Sequence, residues 1–216
     1  HLFVNQAIEN GASCIILEKG HNIEIFKNIT YILVEDTTDL VAYISSKFYN
    51  NPWAKLFMIG ITGTNGKTST SYLIKNILYA NNIKTGVIGT IGSCLGDSII
   101  TLDNTTPDAL VLQYNLNRMV EGDFKACVME VSSHALDLKR VEYMKFDIGI
   151  YTNLTKDHLD YHITMENYFN SKLKLFYKTT KYNIINKDDN YSNEIISKLK
   201  SKAKLITYGI DSKADI

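Results

Sequence analysis

The feature that most constrains the fold is a regular alternation of short apolar segments and amphipathic segments after Trp53. The apolar segments lack strict polar alternation, which is typical of parallel strands that are buried on both faces. The segments between them repeat apolar residues at helical spacing. The sequence therefore predicts an α/β domain in which helices cover a mostly parallel sheet. The predicted strands are 56–61, 86–91, 126–131, 147–151, 182–185 and 205–208, and the predicted helices are one ending at residue 78, then 108–120, 165–176 and 192–199.

The chain before Trp53 carries a second, smaller α/β pattern. Its predicted elements are a helix ending at Gly11, strands at 14–17 and 31–34, and a helix at 37–49. Pro52 cannot continue that helix, and it restricts the backbone of Asn51. We therefore place a domain boundary here, with part of a small first domain at 1–52 and a larger, incomplete second domain at 53–216.

Composition excludes several classes of protein. The 23 Lys and Arg residues balance 23 Asp and Glu residues, so no net charge attracts nucleic acid or an anionic membrane. The longest apolar stretches, such as 56–61, are far shorter than the roughly 18 residues that cross a bilayer. Cys14, Cys94 and Cys127 are too few and too far apart for a disulfide framework or a Cys-x-x-Cys metal site. We expect a monomeric cytoplasmic protein without nucleic-acid or membrane partners.

A glycine-rich loop gives the strongest chemical signal. It reads Gly63-Thr64-Asn65-Gly66-Lys67-Thr68-Ser69, between a predicted strand and a predicted helix. In this context backbone N–H groups and the helix N-terminus bind phosphate oxygens, Lys67 adds positive charge, and Thr68 offers a hydroxyl to Mg²⁺. The strict G-x-x-x-x-G-K-[ST] pattern needs glycine where this chain has Ile61, so the loop is a variant P-loop. It predicts nucleotide binding and leaves kinase, GTPase, ATPase and ligase open.

Glu130 marks a second candidate site. It lies at the end of the predicted strand 126–131, and Ser132, Ser133 and His134 follow it. The carboxyl ends of strands are where α/β sheets present residues to ligands, and a carboxylate there can hold Mg²⁺. Ser132, taken alone, fits a helix cap equally well.

A third polar cluster, 152–162, follows the predicted strand 147–151. Its His158 and His162 have a spacing that suggests zinc, but Leu159 replaces the Glu of a His-Glu-x-x-His protease site. Either histidine alone also fits ordinary packing. The polarity of the whole cluster at the exit of a strand favours a functional role over a zinc protease or a packing role.

Together these stretches resemble the central domain of the Mur ligases, the ATP-dependent amide-forming enzymes of peptidoglycan assembly. The matching residues are 63–69, 104–107, 129–136 with Arg140, 157–162, and Lys172 ahead of Leu175 and Phe176. In order and spacing they cover most of 53–190, and residues 1–50 resemble the later part of the family's N-terminal domain. The Asn-Thr-Thr and Glu-Val-Ser-Ser-His elements favour the branch of the family that makes the UDP-linked tripeptide.

The resemblance implies a role for each matching residue. Residues 63–69 would bind ATP, with Lys67 on its phosphates, and the implied catalytic residues are Lys67, Glu130, His158 and Lys172. Thr68 and Glu130 would hold one Mg²⁺, and His158 with Glu130 a second. Lys172 matches a lysine that the family carbamylates to N6-carboxylysine, although without the resemblance it fits an ordinary helix-surface lysine. The implied substrate-binding residues are Asn104, Thr105, Thr106, Ser132 and Arg140. Leu138 stands where other members have a polar substrate contact.

The implied reaction adds a diamino acid, meso-diaminopimelate or L-lysine, to the small molecule UDP-MurNAc-L-Ala-D-Glu through an acyl phosphate formed with ATP. A folylpolyglutamate synthetase-like ligase is one alternative, which residues 104–107 and 132–134 disfavour. A P-loop module without ligase activity is another, and it would have no use for a second metal site at His158. Because the sequence starts in a helical pattern and lacks the family's C-terminal domain, we expect a truncated chain that is inactive by itself.

Overall fold

The computed structural model describes residues 2–20, 24–200 and 202–216. The strands in this part of the chain are β1 Cys14–Glu18, β2 Thr30–Val34, β3 Phe57–Thr62, β4 Thr85–Gly89, β5 Gly92–Leu95, β6 Ser98–Ile100, β7 Ala126–Glu130, β8 Phe146–Tyr151, β9 Thr179–Asn186 and β10 Lys204–Tyr208. The helices are α1 Val4–Glu9, α2 Thr37–Phe48, α3 Lys67–Ala80, α4 Ala109–Glu121, α5 Ser133–Asp137, α6 Leu159–His162, α7 Met165–Tyr177 and α8 Ser192–Lys198.

The larger of two sheets has the strand order β10-β9-β8-β3-β7-β4-β5-β6. Its strands run parallel from β10 to β4, and β5 and β6 continue it antiparallel. The predicted α/β fold with a mostly parallel sheet is therefore confirmed.

Both faces of this sheet are buried at its central strands β3, β4 and β7, as their apolar sequences predict. On β3, Met58 packs into the cluster that includes Leu112 and Leu116 of α4. The next residue, Ile59, points to the opposite face, into the cluster that contacts Ile74 of α3. Successive residues of a strand face opposite sides of the sheet, so every position of such a strand must be apolar or small. The sheet thus forms a rigid base for the loops at its edge.

One predicted strand is wrong at its end. The sequence places a strand at 86–91, but β4 stops at Gly89 and the chain turns at Thr90 and Ile91. The chain then reverses into β5, so that Gly89 pairs with Gly92 in antiparallel register. A short turn of this kind permits only an antiparallel neighbour, and the apolar pattern alone did not indicate where the strand stops.

A separate two-stranded parallel sheet lies within the described part of 2–52, where β1 pairs with β2. Helix α2 follows this sheet and packs against α4 of the larger sheet. It ends before Asn50 and Asn51, which have left-handed φ values of +55° and +50°, and Pro52 follows. These features support the division of the chain at residue 52, which stays a prediction. No helix in the described ranges has the length and apolar character that crossing a bilayer requires.

Candidate active site

Three strand ends meet at one edge of the large sheet. The central strand β3 lies between β7 and β8, where Ile61 aligns with Glu130 and Thr62 aligns with Tyr151. The P-loop, Glu130 and the 152–162 segment each lie where one of these strands ends. Parallel strands present their carboxyl ends at the same edge, so this register brings the three predicted clusters together.

The P-loop closes around the side chain of Lys67. Gly63 has a φ of +151°, and a Cβ at this position would overlap Thr152 Oγ1, so only glycine fits. Lys67 Nζ donates to the carbonyl oxygens of Gly63 at 2.9 Å and Thr64 at 2.8 Å. Burial lowers the pKa of Lys67, and the carboxylate of Glu130 opposes that shift. The loop therefore holds a partly desolvated cation beside a helix N-terminus, an arrangement that suits an anionic ligand.

Lys172 lies directly beneath this loop. Its side chain projects inward from α7 and the residue is only 3% exposed, so the interpretation as an ordinary surface lysine is wrong. Lys172 Nζ donates to the carbonyl oxygen of Gly63 at 2.8 Å and lies 4.4 Å from the centroid of the Tyr168 ring. Burial, together with the charge of Lys67, holds the pKa of Lys172 well below its usual range. Two lysines thus share one carbonyl oxygen of the P-loop.

Glu130 joins the P-loop to two threonines outside it. Its carboxylate is buried, and Oε2 accepts a hydrogen bond from Thr68 Oγ1 at 2.9 Å. The other donors both come from Thr90, whose backbone N–H lies 3.0 Å from Oε1 and whose hydroxyl lies 3.1 Å from Oε2. The Thr90 hydroxyl also lies 3.0 Å from Thr105 Oγ1. A short hydrogen-bonded chain therefore connects the P-loop to a predicted substrate residue. It runs from the Thr68 hydroxyl through the Glu130 carboxylate and the Thr90 hydroxyl to the Thr105 hydroxyl.

Thr106 connects the backbone of Glu130 to the other predicted substrate residues. Its hydroxyl donates to the carbonyl oxygen of Glu130 at 2.7 Å and accepts from the backbone N–H of Ser132 at 3.0 Å. Arg140 Nη1 donates to the carbonyl oxygen of Thr106 at 2.7 Å. Four of the five predicted substrate residues, Thr105, Thr106, Ser132 and Arg140, thus lie in one hydrogen-bonded network with Glu130.

Asn104 is the predicted substrate residue outside this network. It is exposed and lines a cavity of about 510 Å³ with Pro107 and Arg118, and the described residues give it no hydrogen bond to the threonines.

Ser132 is the N-cap residue of α5, a role that its residue type allows. Its Oγ accepts a hydrogen bond from the backbone N–H of Ala135 at 3.2 Å. Substrate contact by Asn104 or Ser132 stays a prediction.

His158 lies on the Lys172 side of the P-loop. Its ring centroid is 5.0 Å from that of His134 and 6.0 Å from that of Tyr168. The Tyr168 hydroxyl in turn lies 3.2 Å from Thr64 Oγ1. Within the described part of the chain His158 forms no hydrogen bond to Glu130, so the cation that these two residues were predicted to share stays a prediction.

A cation between Thr68 and Glu130 fits the residues present. Glu130 is buried and, in the residues that the structure covers, pairs with no Lys or Arg side chain. Lys67 is close enough for its charge to act on Glu130, but its ammonium binds loop carbonyls and forms no ion pair with that carboxylate. A buried carboxylate without an ion pair is costly, and a bound cation would supply the partner. No three His, Cys, Asp or Glu side chains cluster as a metal site in the described ranges. Magnesium does not need such a cluster, because it keeps water and phosphate ligands beside one or two carboxylates.

Sequence reasoning missed Thr90 and Tyr168 in this region, and it gave Asn153 no specific role within the 152–162 cluster. Thr90 follows a strand end, the same signal that identified Glu130, but the predicted strand extended past it. Asn153 holds the P-loop from outside, since its Oδ1 accepts from the backbone N–H of Asn65 at 2.9 Å. Tyr168, which contacts Thr64 and Lys172, lies in a helix whose apolar periodicity indicates only packing.

The lowered pKa of Lys172 predicts a pH-dependent stability. Between the lowered folded-state pKa and the ordinary value of 10.5, the unfolded chain holds a proton that the folded chain has lost. The unfolded state then binds more protons, so stability rises with pH in this window. We expect the free energy of unfolding of the wild type to increase relative to that of Lys172→Met as pH rises toward 10.5, measured by urea unfolding of the unmodified lysine form.

Lys174→Met is the matched control for this prediction. Lys174 lies on the same helix, but its ammonium is partly exposed and pairs with Asp137 at 2.8 Å. Lys174→Met retains the buried Lys172 and should therefore keep the rise in stability with pH that the wild type shows. Equal pH dependence in the two variants would contradict the buried position of Lys172.

The sheet order and the variant loop define an α/β protein of the P-loop class. Residues 61–216 match the Mur ligase middle domain. The chain therefore belongs to the Mur ligase family.

Two relatives of known name align with almost the whole chain, and both are UDP-N-acetylmuramoyl-L-alanyl-D-glutamate–2,6-diaminopimelate ligases. The protein from Alkaliphilus oremlandii is 49% identical over 216 residues, which are 100% of this chain and 44% of that protein. The protein from Caldanaerobacter subterraneus subsp. tengcongensis is 48% identical over 209 residues, 97% of this chain and 42% of that protein. This chain thus spans less than half the length of these relatives.

Solved structures agree with this assignment. A structure of a UDP-N-acetylmuramoyl-L-alanyl-D-glutamate–2,6-diaminopimelate ligase superimposes with a TM-score of 0.82 at 28% identity, and the match covers 99% of this chain and 44% of that one. A Mycobacterium tuberculosis folylpolyglutamate synthase complexed with ADP has a TM-score of 0.64 at 15% identity, over 82% of this chain and 47% of that one. The second likeness shows a shared fold alone.

Proposed function

We propose that this chain forms the nucleotide-binding and acyl-donor-binding part of an ATP-dependent ligase that adds 2,6-diaminopimelate to UDP-MurNAc-L-Ala-D-Glu, the MurE reaction of peptidoglycan synthesis. One observation carries the proposal: Glu130 accepts hydrogen bonds from Thr68 of the P-loop and from Thr90, which reaches Thr105. A nucleotide on the loop and an acyl donor at the threonines would therefore lie on either side of one carboxylate.

The chemistry requires two anions to meet. The D-Glu carboxylate would attack the γ-phosphorus of ATP, ADP would leave, and an acyl phosphate would form. The amine of the diamino acid would then attack the acyl carbon, lose a proton and expel phosphate. No side chain needs to become a covalent nucleophile, so catalysis depends on positioning and on neutralising negative charge.

The basic residues would divide this task between the two reactants. Lys67 would leave the loop carbonyls that it contacts in this structure and bind phosphate oxygens. Arg140, which is fixed to the carbonyl of Thr106, would face the acyl donor. Mg²⁺ bound by Thr68 and Glu130 would neutralise phosphate charge. His158 is proposed to take part in a second cation site.

We also propose that Lys172 is carbamylated. Its burial favours the neutral amine, which is the form whose nitrogen adds to CO₂ with release of a proton. The product is an anion at a position where the charge of Lys67 acts. A carboxylate-like group there would exchange the repulsion between two lysines for attraction.

The added amino acid, the cellular location and the oligomeric state are finer parts of the proposal. The names of the relatives support diaminopimelate rather than lysine as the added residue, a choice that the sequence patterns leave open. We propose a cytoplasmic location because ATP and a UDP-linked substrate are solutes of the cytoplasm. A monomeric state is a separate proposal. The folate-ligase alternative is supported by shared fold alone.

The deciding experiment uses the full-length protein that contains this chain. ADP release is measured with Mg²⁺ and UDP-MurNAc-L-Ala-D-Glu, and with meso-diaminopimelate, L-lysine or no amino acid. We expect release that depends on diaminopimelate. Release only with L-lysine would correct the amino acid, and release only with a folate acceptor and glutamate would overturn the proposal in favour of the other ligase. Nucleotide binding without any release would favour the P-loop module.

A further inference from the structure

Thr90 lies between the two halves of the proposed site and belongs to none of its motifs. It directly follows β4, and its backbone N–H and hydroxyl bind different oxygens of the Glu130 carboxylate, at 3.0 Å and 3.1 Å. Its hydroxyl also lies 3.0 Å from Thr105 Oγ1. Thr90 thus touches the proposed cation ligand and a proposed substrate residue at once.

The direction of these hydrogen bonds follows from the groups involved. An ionised carboxylate only accepts hydrogen bonds, so the Thr90 hydroxyl must donate its one proton to Glu130. The same hydroxyl can then only accept from its other neighbour, so Thr105 must be the donor of the 3.0 Å contact. Thr105 has no second proton to give. It therefore presents only lone pairs to a ligand.

We propose that Thr90 is a positioning residue that orients Thr105 as a hydrogen-bond acceptor for an N–H or O–H group of the acyl donor, and that fixes Glu130 against the P-loop. This inference rests on the proposed function and goes beyond it, since it assigns a residue and the polarity of one substrate contact. An amide N–H or a sugar hydroxyl suits such an acceptor, whereas a carboxylate does not.

Geometry around Thr90 supports a fixed position. The preceding residue, Gly89, pairs with Gly92 across the tight β4–β5 turn, so the backbone of this segment is held by the sheet. Glu130 is held in turn by its place at the end of β7 and by Thr68. A two-point contact with a buried carboxylate leaves the Thr90 hydroxyl little freedom.

The test is a double-mutant cycle in the full-length protein. Affinity for UDP-MurNAc-L-Ala-D-Glu is measured by calorimetry for the wild type, Thr90→Val, Thr105→Val and the double variant. A neutral hydrogen bond of this kind corresponds to about 3-fold to 10-fold in affinity, and we expect each single variant to lose about that much. Because Thr90 acts through Thr105, the double variant should lose no more than Thr105→Val alone. Additive losses would overturn the proposal.

Two further variants separate positioning from packing. Thr90→Ser keeps the hydroxyl and should restore most of the affinity, whereas continued loss would assign the effect to the methyl group. Thr85→Val is the matched control, because Thr85 begins the same strand and its hydroxyl contacts only the carbonyl of Ile83 in the described chain, at 2.8 Å. It should bind the acyl donor as the wild type does. An equal loss in Thr85→Val would show a general disturbance of β4 and would overturn the proposal.

A second readout separates this inference from the proposed function. ADP affinity is measured with and without Mg²⁺ in the wild type, Thr90→Val and Thr90→Ser. Thr90→Val loses the hydroxyl contact with Glu130 Oε2 and keeps only the backbone N–H bond to Oε1. This loss should reduce the gain in affinity that Mg²⁺ provides in Thr90→Val, whereas Thr90→Ser should keep that gain. If the wild type binds no UDP-linked acyl donor, the proposed function fails. Independently of that result, an unchanged Mg²⁺ effect in Thr90→Val would refute the proposed role of Thr90 in fixing Glu130.

Discussion

Replacing Lys67 by Ala is expected to abolish the proposed ligase turnover of the full-length protein. The ammonium of Lys67 sits at the N-terminus of α3, held by two loop carbonyls, where phosphate charge would develop during transfer. Removing one preorganised electrostatic donor typically costs about 10²-fold to 10³-fold in kcat, or about 3 to 4 kcal/mol. We expect a loss at or beyond the upper end, because the group carries a full charge. Initial rates of ADP release measure it.

Stability provides the control for this prediction. In the form with unmodified Lys172, burial lowers the pKa of Lys67, and the charge of Lys67 disfavours the charged form of Lys172. Lys67→Ala with unmodified Lys172 should therefore melt at the wild-type temperature or above it. Lys75→Ala, on the same helix and with its ammonium over the Tyr72 ring, should keep normal activity. Near-normal turnover in a folded Lys67→Ala variant would refute the assignment of Lys67 to the phosphates.

Replacing Gly89 by Ala is expected to reduce activity by at least about 10²-fold, comparable to loss of one electrostatic donor. A Cβ at Gly89 would overlap the Oε1 atom of Glu130 and lie 2.7 Å from its Cδ. The carboxylate must therefore move and give up its bonds to Thr68 and Thr90. The proposed cation position would be lost with it. The rate of ADP release and the Mg²⁺ dependence of ADP binding both measure this change.

Gly86→Ala is the matched control, because it lies on the same strand and also places a methyl group against a side chain. There the neighbour is Met119, a flexible apolar residue far from the carboxylate network, which can shift to make room. We expect a modest loss of stability and full activity per folded molecule. If Gly86→Ala and Gly89→Ala lose activity equally, strain in β4 rather than displacement of Glu130 explains the result.

Local patterns in the sequence predicted the six parallel strands of the large sheet and the residues of the P-loop, but they missed the antiparallel strands β5 and β6. Apolar runs without polar alternation correctly predicted strands that are buried on both faces. Met58 and Ile59, for example, are neighbours on β3 and pack into different core clusters. The helix α2 stopped where Pro52 predicts, before two asparagines with left-handed backbone. The predicted end of β4 was wrong, because the apolar pattern of the sequence does not distinguish a continuing strand from a turn.

The fold class and the available chemical groups follow from the sequence alone, since hydrophobic periodicity and residue type are local properties of the chain. How these groups act together depends on the folded chain. The parallel register of β3 with β7 and β8 brought Thr62, Glu130 and Tyr151 to one edge of the sheet. The packing of the chain also buried Lys172 beneath the P-loop and joined Thr90 to Glu130. Distances between residues far apart in the chain depend on how strands align, which no local pattern specifies.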